Sequence, residues 1–155
     1  PKFFKAGDGC VKDYADPRMH SAEHILNQTM VRMFQTGRCF RAHIEKKKSK
    51  CDYHFDRSLS PEEMNELESR VNQVIDSDLP VREEFLSREE AQALYNLDRL
   101  PEETGSRIRI VKVGDYDSCP CIGPHVSSTR EIGRFHVISS SFEDGVLRIR
   151  FKLGV

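Results

Sequence analysis

Apolar residues recur along the chain in two periods, and the period changes several times. After Asp16-Pro17-Arg18, an N-cap followed by proline at the first helical position, Ala22, Ile25, Leu26, Thr29 and Met33 fall on one side of a helical wheel. A helix is predicted to run to about Thr36, with Gly37 supplying the left-handed residue that ends it. Phe40/Ala42/Ile44 and Cys51/Tyr53/Phe55 then alternate, which predicts an antiparallel hairpin with Lys46-Lys47-Lys48-Ser49-Lys50 at its tip. Ser60-Pro61-Glu62-Glu63 has the capping-box pattern, and Met64, Leu67, Val71, Val74 and Ile75 follow at helical spacing, so a second long helix is expected over about 61–76. Leu79-Pro80-Val81 ends it and starts a strand. Ser87-Arg88-Glu89-Glu90 repeats the capping box ahead of a short third helix that takes in Leu97 and closes at Pro101. From Arg107 the texture is that of strands: Ile108, Ile110, Val111 and Val113, a Cys/Pro/Gly-rich loop, then Phe135 to Phe142 and Val146 to Leu153 joined by Glu143-Asp144-Gly145, a strong hairpin signal.

Helices and strands mix without a regular βαβ alternation, and consecutive strands are mostly joined by hairpins. The fold class expected is α+β, a mainly antiparallel sheet packed with two long helices and one short one. At 155 residues, 37% hydrophobic and 32% charged, the chain has material for one good core, and a single domain over 1–155 is expected. No apolar run approaches the roughly 18 residues of a membrane span, and Pro1-Lys2-Phe3-Phe4-Lys5 lacks the apolar stretch of a secretory signal, so a cytoplasmic protein is expected. With 24 Lys and Arg against 25 Asp and Glu the net charge is −1, which argues against a bulk polyanion binder. Five cysteines are too few, and odd in number, for a disulfide framework, so the thiols are expected to be reduced.

Two places bring metal-ligating residue types together at usable spacing. His20 and His24 are four apart on the first helix, on one face, so both rings can reach one ion. They lie off the apolar stripe, and the plain alternative is a pair of solvated surface histidines. Cys121 and His125 are also four apart, in a loop where Gly123 and Pro124 let the backbone turn sharply. Three imidazoles and a thiolate make a chemically sensible zinc set. Cys39 and His43 have the same spacing, but on a predicted strand they stand roughly 13 Å apart and cannot share an ion; both are expected to face outward.

His20-x-x-x-His24, Ser87-Arg88-Glu89-Glu90-Ala91 and Cys121-x-Gly123-x-His125-Val126-x-x-Thr129-x-Glu131-Ile132-Gly133 together resemble the editing domain shared by alanyl- and threonyl-tRNA synthetases. The chain is most similar to the free-standing alanyl-tRNA editing proteins of the AlaX type. That resemblance implies a zinc-dependent hydrolase that removes a wrongly attached amino acid, serine or glycine, from the 3′ end of alanine tRNA. Gly123-Pro124-His125 is closer to the threonyl enzymes, which makes serine on threonine tRNA the alternative; a zinc-stabilised RNA-binding module without catalysis is another.

The resemblance carries the metal roles to His20, His24, Cys121 and His125, with His125 either a ligand or a nearby base. Asp117 and Asp115 are expected to orient a ligand imidazole or bind the substrate ammonium, and Thr129 and Glu131 to contact substrate. Lys46, Lys47, Lys48 and Lys50, with Arg57 nearby, are the expected contacts for acceptor-stem phosphates. The partner expected is the acceptor end of a mischarged tRNA, with neither DNA nor a membrane. Cys119 is expected to be a spare thiol, and His43, His54 and His136 have no assigned role.

Overall fold

Asp16 opens the first helix as expected: its Oδ1 accepts the Arg18 N–H at 2.8 Å, and Pro17 occupies the first turn. The computed structural model describes residues 16–98, 100 and 105–154; the opening pentapeptide and Pro101 lie outside this range. Helix α1 spans Pro17–Phe34 and ends at Gln35 (φ 58°), two residues before the expected glycine. The early stop lets the chain double back along the helix, where the Cys39 N–H donates to Asn27 Oδ1 at 3.1 Å.

Strands β1 (Arg41–His43) and β2 (Ser49–His54) form the expected hairpin, and α2 (Pro61–Asp76) has its capping box formed, with Ser60 Oγ accepting from Glu63 N at 3.1 Å. Strand β3 (Val81–Ser87) runs into α3 (Arg88–Leu94), which ends short of the expected Leu97 because Tyr95 turns extended and hydrogen-bonds through its hydroxyl to Ser118 at 2.6 Å. Then come β4 (Arg107–Val113), β5 (Asp117–Pro120), a 3₁₀ helix (Thr129–Ile132), β6 (Arg134–Glu143) and β7 (Val146–Gly154). At the β6–β7 turn both Asp144 and Gly145 have positive φ (51° and 78°), the conformation that Asp-Gly favours.

The class is α+β as expected, but the strands divide into two antiparallel sheets, ordered β1-β2-β7-β6 and β3-β4-β5. Helices α1 and α2 cover the inner face of the larger sheet, where Met19, Ile25, Leu26, Leu67, Val71, Tyr53, Phe135 and Phe151 build the main core. The smaller sheet has its own core of Ala91, Ile108 and Ile110 under α3. Thr129 pins the link from α2 to β3. Its hydroxyl donates to the end of α2 at Val74 O (2.9 Å) and accepts the Leu79 N–H (2.8 Å). Among the described residues no helix is long and apolar enough to cross a membrane.

Candidate metal centre and adjoining cavity

The expected helical wheel put His20 and His24 on the solvent side of α1. Instead they are buried, because the 117–126 segment closes over that side of the helix. The interior side holds Met19, Ala22, Ile25 and Leu26, while the opposite side buries Ser21, Glu23 and Asn27 with the two histidines. Polar residues at these depths need partners, and most have them. Ser21 Oγ shares a 2.9 Å hydrogen bond with His125 Nδ1 and accepts the Val126 N–H at 3.1 Å, so one hydroxyl positions the whole end of the loop. His20 Nδ1 donates to Pro124 O at 2.9 Å. Arg109 holds the loop from below through Gly123 O (2.6 Å) and Cys121 O (3.3 Å).

These contacts bring His20, His24, Cys121 and His125 together, with one donor atom from each lying within 4.8 Å of all the others. Ring centroids are 4.8 Å apart for His20–His24, 4.0 Å for His20–His125 and 4.4 Å for His24–His125. Because His20 donates from Nδ1, its Nε2 presents a lone pair, 3.3 Å from Cys121 Sγ. His125 Nε2 is buried without a hydrogen-bond partner among the described residues. An orphaned nitrogen beside a second imidazole lone pair and a thiol is costly in an interior and natural in a metal shell. The donor set therefore fits a borderline-soft ion such as zinc.

Burial, then repulsion from His24, pushes the His20 pKa well below its ordinary value, although the bond to Pro124 O opposes the shift. Burial likewise lowers His24, against the pull of Asp117, and burial with His24 and His20 as neighbours lowers His125 strongly. All three rings are neutral at pH 7, as metal ligands must be.

Asp117 Oδ2 lies 3.6 Å from His24 Nδ1. Burial would raise this carboxyl's pKa, but the Arg38 guanidinium and His24 outweigh it and hold it well below the usual carboxylate range. Arg38 grips both oxygens, at 2.6 and 3.3 Å, and Gln28 donates to one at 2.8 Å. At 3.6 Å the carboxylate faces the His24 ring without a hydrogen bond to it, and His24 Nδ1 is buried with no hydrogen-bond partner among the described residues. Asp115 is exposed in the turn before β5. Thr129, expected to contact substrate, is buried with its hydroxyl engaged by α2 and Leu79, and Glu131 is exposed and engaged by Ser127 Oγ and the Ser128 N–H (3.0 Å). Thr129 thus ties the 3₁₀ helix to the end of α2, and Glu131 ties it to the serines just before it.

Glu23 is buried beside the centre, with Oε1 3.8 Å from His20 Nε2 and 3.9 Å from His24 Nε2, and it accepts a 2.6 Å hydrogen bond from Asn27. Cys39, expected to face outward, is fully buried and donates to Glu23 at 3.5 Å, because it precedes β1 and turns inward. His43 is half-buried at the end of β1. A cavity of about 410 Å³ adjoins the centre, lined by Glu23, His24, Arg38, Phe40, Tyr95 and Cys119 among others. Cys119 thus faces the cavity. Lys46, Lys47 and Lys48 are exposed at the hairpin tip, Lys50 lies on β2, and Arg57 is tied to Glu63 by bonds of 2.8 and 2.9 Å. Ser21, Glu23, Arg38 and Arg109 were not singled out from sequence. Only Glu23 had a local signal, its place within the His20–His24 spacing.

Residues 108–150, which contain Cys121 and His125, match the family described as Threonyl and Alanyl tRNA synthetase second additional domain. Over 145 residues, 88% of this chain, it is 32% identical to the alanine–tRNA ligase of Methanopyrus kandleri, covering 15% of that protein. The alanine–tRNA ligase of Aeropyrum pernix is 35% identical over 149 residues, 91% of the chain and 16% of the ligase. A threonine–tRNA ligase from Dehalococcoides mccartyi is 32% identical over 125 residues, 77% of the chain and 21% of the ligase. The chain thus spans about a fifth or less of the length of these relatives.

Proposed function

We infer that this chain, which matches the alanyl- and threonyl-tRNA synthetase second additional domain family through residues 108–150, is an editing deacylase. It hydrolyses the ester between a wrongly attached amino acid and the ribose of a tRNA, with serine or glycine on alanine tRNA as the substrates. The observation that carries this reading is the convergence of His20, His24, Cys121 and His125 beside a cavity of about 410 Å³, large enough for an aminoacyl group. These four residues would hold a zinc ion. When bound, zinc supplies Lewis acidity towards a carbonyl and lowers the pKa of water towards about 7.

The chain's own contribution is to hold the donors rigid and dry. Asp117, fixed by Arg38 and Gln28, faces His24; Pro124 O orients His20; Ser21 orients His125. His125 acts as a ligand rather than a base in this reading, because its Nδ1 is engaged by Ser21 while its Nε2 is buried without a hydrogen-bond partner among the described residues, beside the other donors. The amino acid occupies the cavity on the Arg38, Tyr95 and Cys119 side, and the thiol there is a small polar wall next to it.

Two further readings have specific support. Gly123-Pro124-His125 and the similarity to a threonine–tRNA ligase favour serine on threonine tRNA as substrate. Four donors within 4.8 Å form a closed set, the pattern of structural zinc, which favours an RNA-binding module without catalysis. One experiment separates all three: alanine and threonine tRNAs mischarged with serine and glycine, incubated with the protein with and without chelator. Release from alanine tRNA that chelator abolishes and zinc restores is expected. Release only from threonine tRNA moves the specificity, and release from neither overturns the deacylase.

A further inference from the structure

We infer that the outer face of the β1-β2-β7-β6 sheet is an RNA-docking surface that carries a phosphodiester backbone round the β1 edge to the cavity. This rests on the reading of tRNA as substrate and names the surface that holds it.

The period-2 alternation of strands decides which side chains face out. In β2, Cys51 and Tyr53 are fully buried in the main core, so Lys50, Asp52 and His54 face away from it. The register then places Arg150 opposite Lys50, Arg148 opposite Asp52 on one side, and Arg41 opposite Asp52 on the other. In β7, Leu147, Ile149 and Phe151 fill the core, so Arg148, Arg150 and Lys152 share the outer face. On β1, β2 and β7 five cations therefore stand on one face with one carboxylate, Asp52, and β6 adds a second, Glu143, at the far end of that face opposite Val146. Asp52 is buried between Arg41 (2.7 Å) and Arg148 (2.7 and 3.0 Å) and offsets only those two. Lys50, Arg150 and Lys152 make no ion pair with any described residue. The tip lysines Lys46, Lys47 and Lys48 extend this field from the β1–β2 turn.

A net charge of −1 hid this, because the compensating carboxylates lie elsewhere, among them Glu62, Glu63, Glu66 and Glu68 of α2, across the core from this face. Segregated charge of this kind recognises a polyanion where the chain average does not. The face also connects with the cavity. Phe40 lines the cavity and stacks on His54, with centroids 3.9 Å apart and planes 7° apart, while the Arg41 guanidinium lies 5.0 Å from the Phe40 ring centroid. Stacked aromatic and guanidinium groups next to backbone-binding cations are the elements of single-strand recognition. A 3′ end crossing this edge passes from the cationic face to the site without leaving the protein surface.

The test is binding of uncharged tRNA by fluorescence anisotropy over a series of salt concentrations, which needs no catalysis. The triple variant Lys50→Gln, Arg150→Gln and Lys152→Gln keeps the side-chain stems and removes the charges. It is expected to bind about tenfold to a hundredfold more weakly at low salt, with the log–log salt slope shallower by about 2–3, close to one for each phosphate no longer neutralised. A control that removes three cations elsewhere, Arg70→Gln, Arg82→Gln and Lys112→Gln, is expected to bind like the wild type. Equal affinity and slope for the two variants would overturn the surface, as would binding of the wild type to phosphatidylserine vesicles but not to tRNA. Should the triple variant not fold, the double variant Lys50→Gln and Lys152→Gln is expected to shift the slope by about 1–2. Wild-type binding that these variants weaken, with no mischarged tRNA hydrolysed, would leave the surface standing and remove the deacylase; the converse would do the opposite.

Discussion

At His20, His24 and His125 the cost of burial falls on the protonated form, and this links the centre to pH. Each folded-state pKa lies below the unfolded value of about 6.5, so the unfolded chain takes up more protons as the medium is acidified. The stability these rings confer is complete above the unfolded pKa and is lost as pH falls below it. For the metal-free protein, stability from urea titrations is expected to drop between pH 7 and 5 with a slope approaching about 1.4 kcal/mol per pH unit for each imidazole. The variant His125→Gln should have a shallower slope, and a profile flat from 7 to 5 would contradict the burial argument. Asp117 has the same sign with a different window: its depressed pKa withdraws stability only below the unfolded carboxylate value of about 3.9.

Among the elements, the short segment from the 3₁₀ helix into β6 is the least tolerant. Gly133 has φ 95° and ψ −140°, and a Cβ there would meet Gly154 O at 2.6 Å. That conformation is essentially reserved for glycine, and the obstacle is backbone of the neighbouring strand. Gly133→Ala is expected to cost about 2–3 kcal/mol, read as a lower thermal midpoint, whereas Gly145→Ala, with open space around it, should cost less. Equal losses at the two positions would show that the close approach to β7 is unimportant.

Helix boundaries at Asp16 and Ser60, and the Asp144-Gly145 turn, were legible because each depends on a few adjacent residues. The four donors were legible through residue type and spacing. Their supports were not. Ser21 touches His125 across 104 positions, and Arg38 touches Asp117 across 79, pairings that no local pattern encodes. The depth at which the His pair is buried was not legible for the same reason, since a helical wheel knows the core but not the loop that later covers the other side.

For the molecule as a whole, the centre lies where α1, part of the main core, meets the loop that follows the smaller sheet. An ion held by both is expected to brace one region against the other. At about a hundredfold excess of zinc over its Kd, linkage gives roughly 2.7 kcal/mol, which for a chain of this size is a rise of about 5–10 °C in thermal midpoint. Scanning calorimetry with zinc and with chelator measures it, and the double variant Cys121→Ser and His125→Ala should show no rise. A wild-type midpoint indifferent to zinc would mean the donors do not hold it.

The long span of chain between the two halves of the centre, His20 at one side and Cys121 and His125 more than a hundred residues later, also sets a timetable for synthesis. As the polypeptide leaves the ribosome, α1 emerges with two imidazoles whose partners in Cys121, Pro124 and His125 arrive only when the last quarter of these residues is translated. The helix must wait, wetted on that flank, for a late-arriving lid. If the four donors hold an ion, its capture can only follow translation of the Cys121–His125 stretch, and without it helix and lid would meet around an empty set of donors.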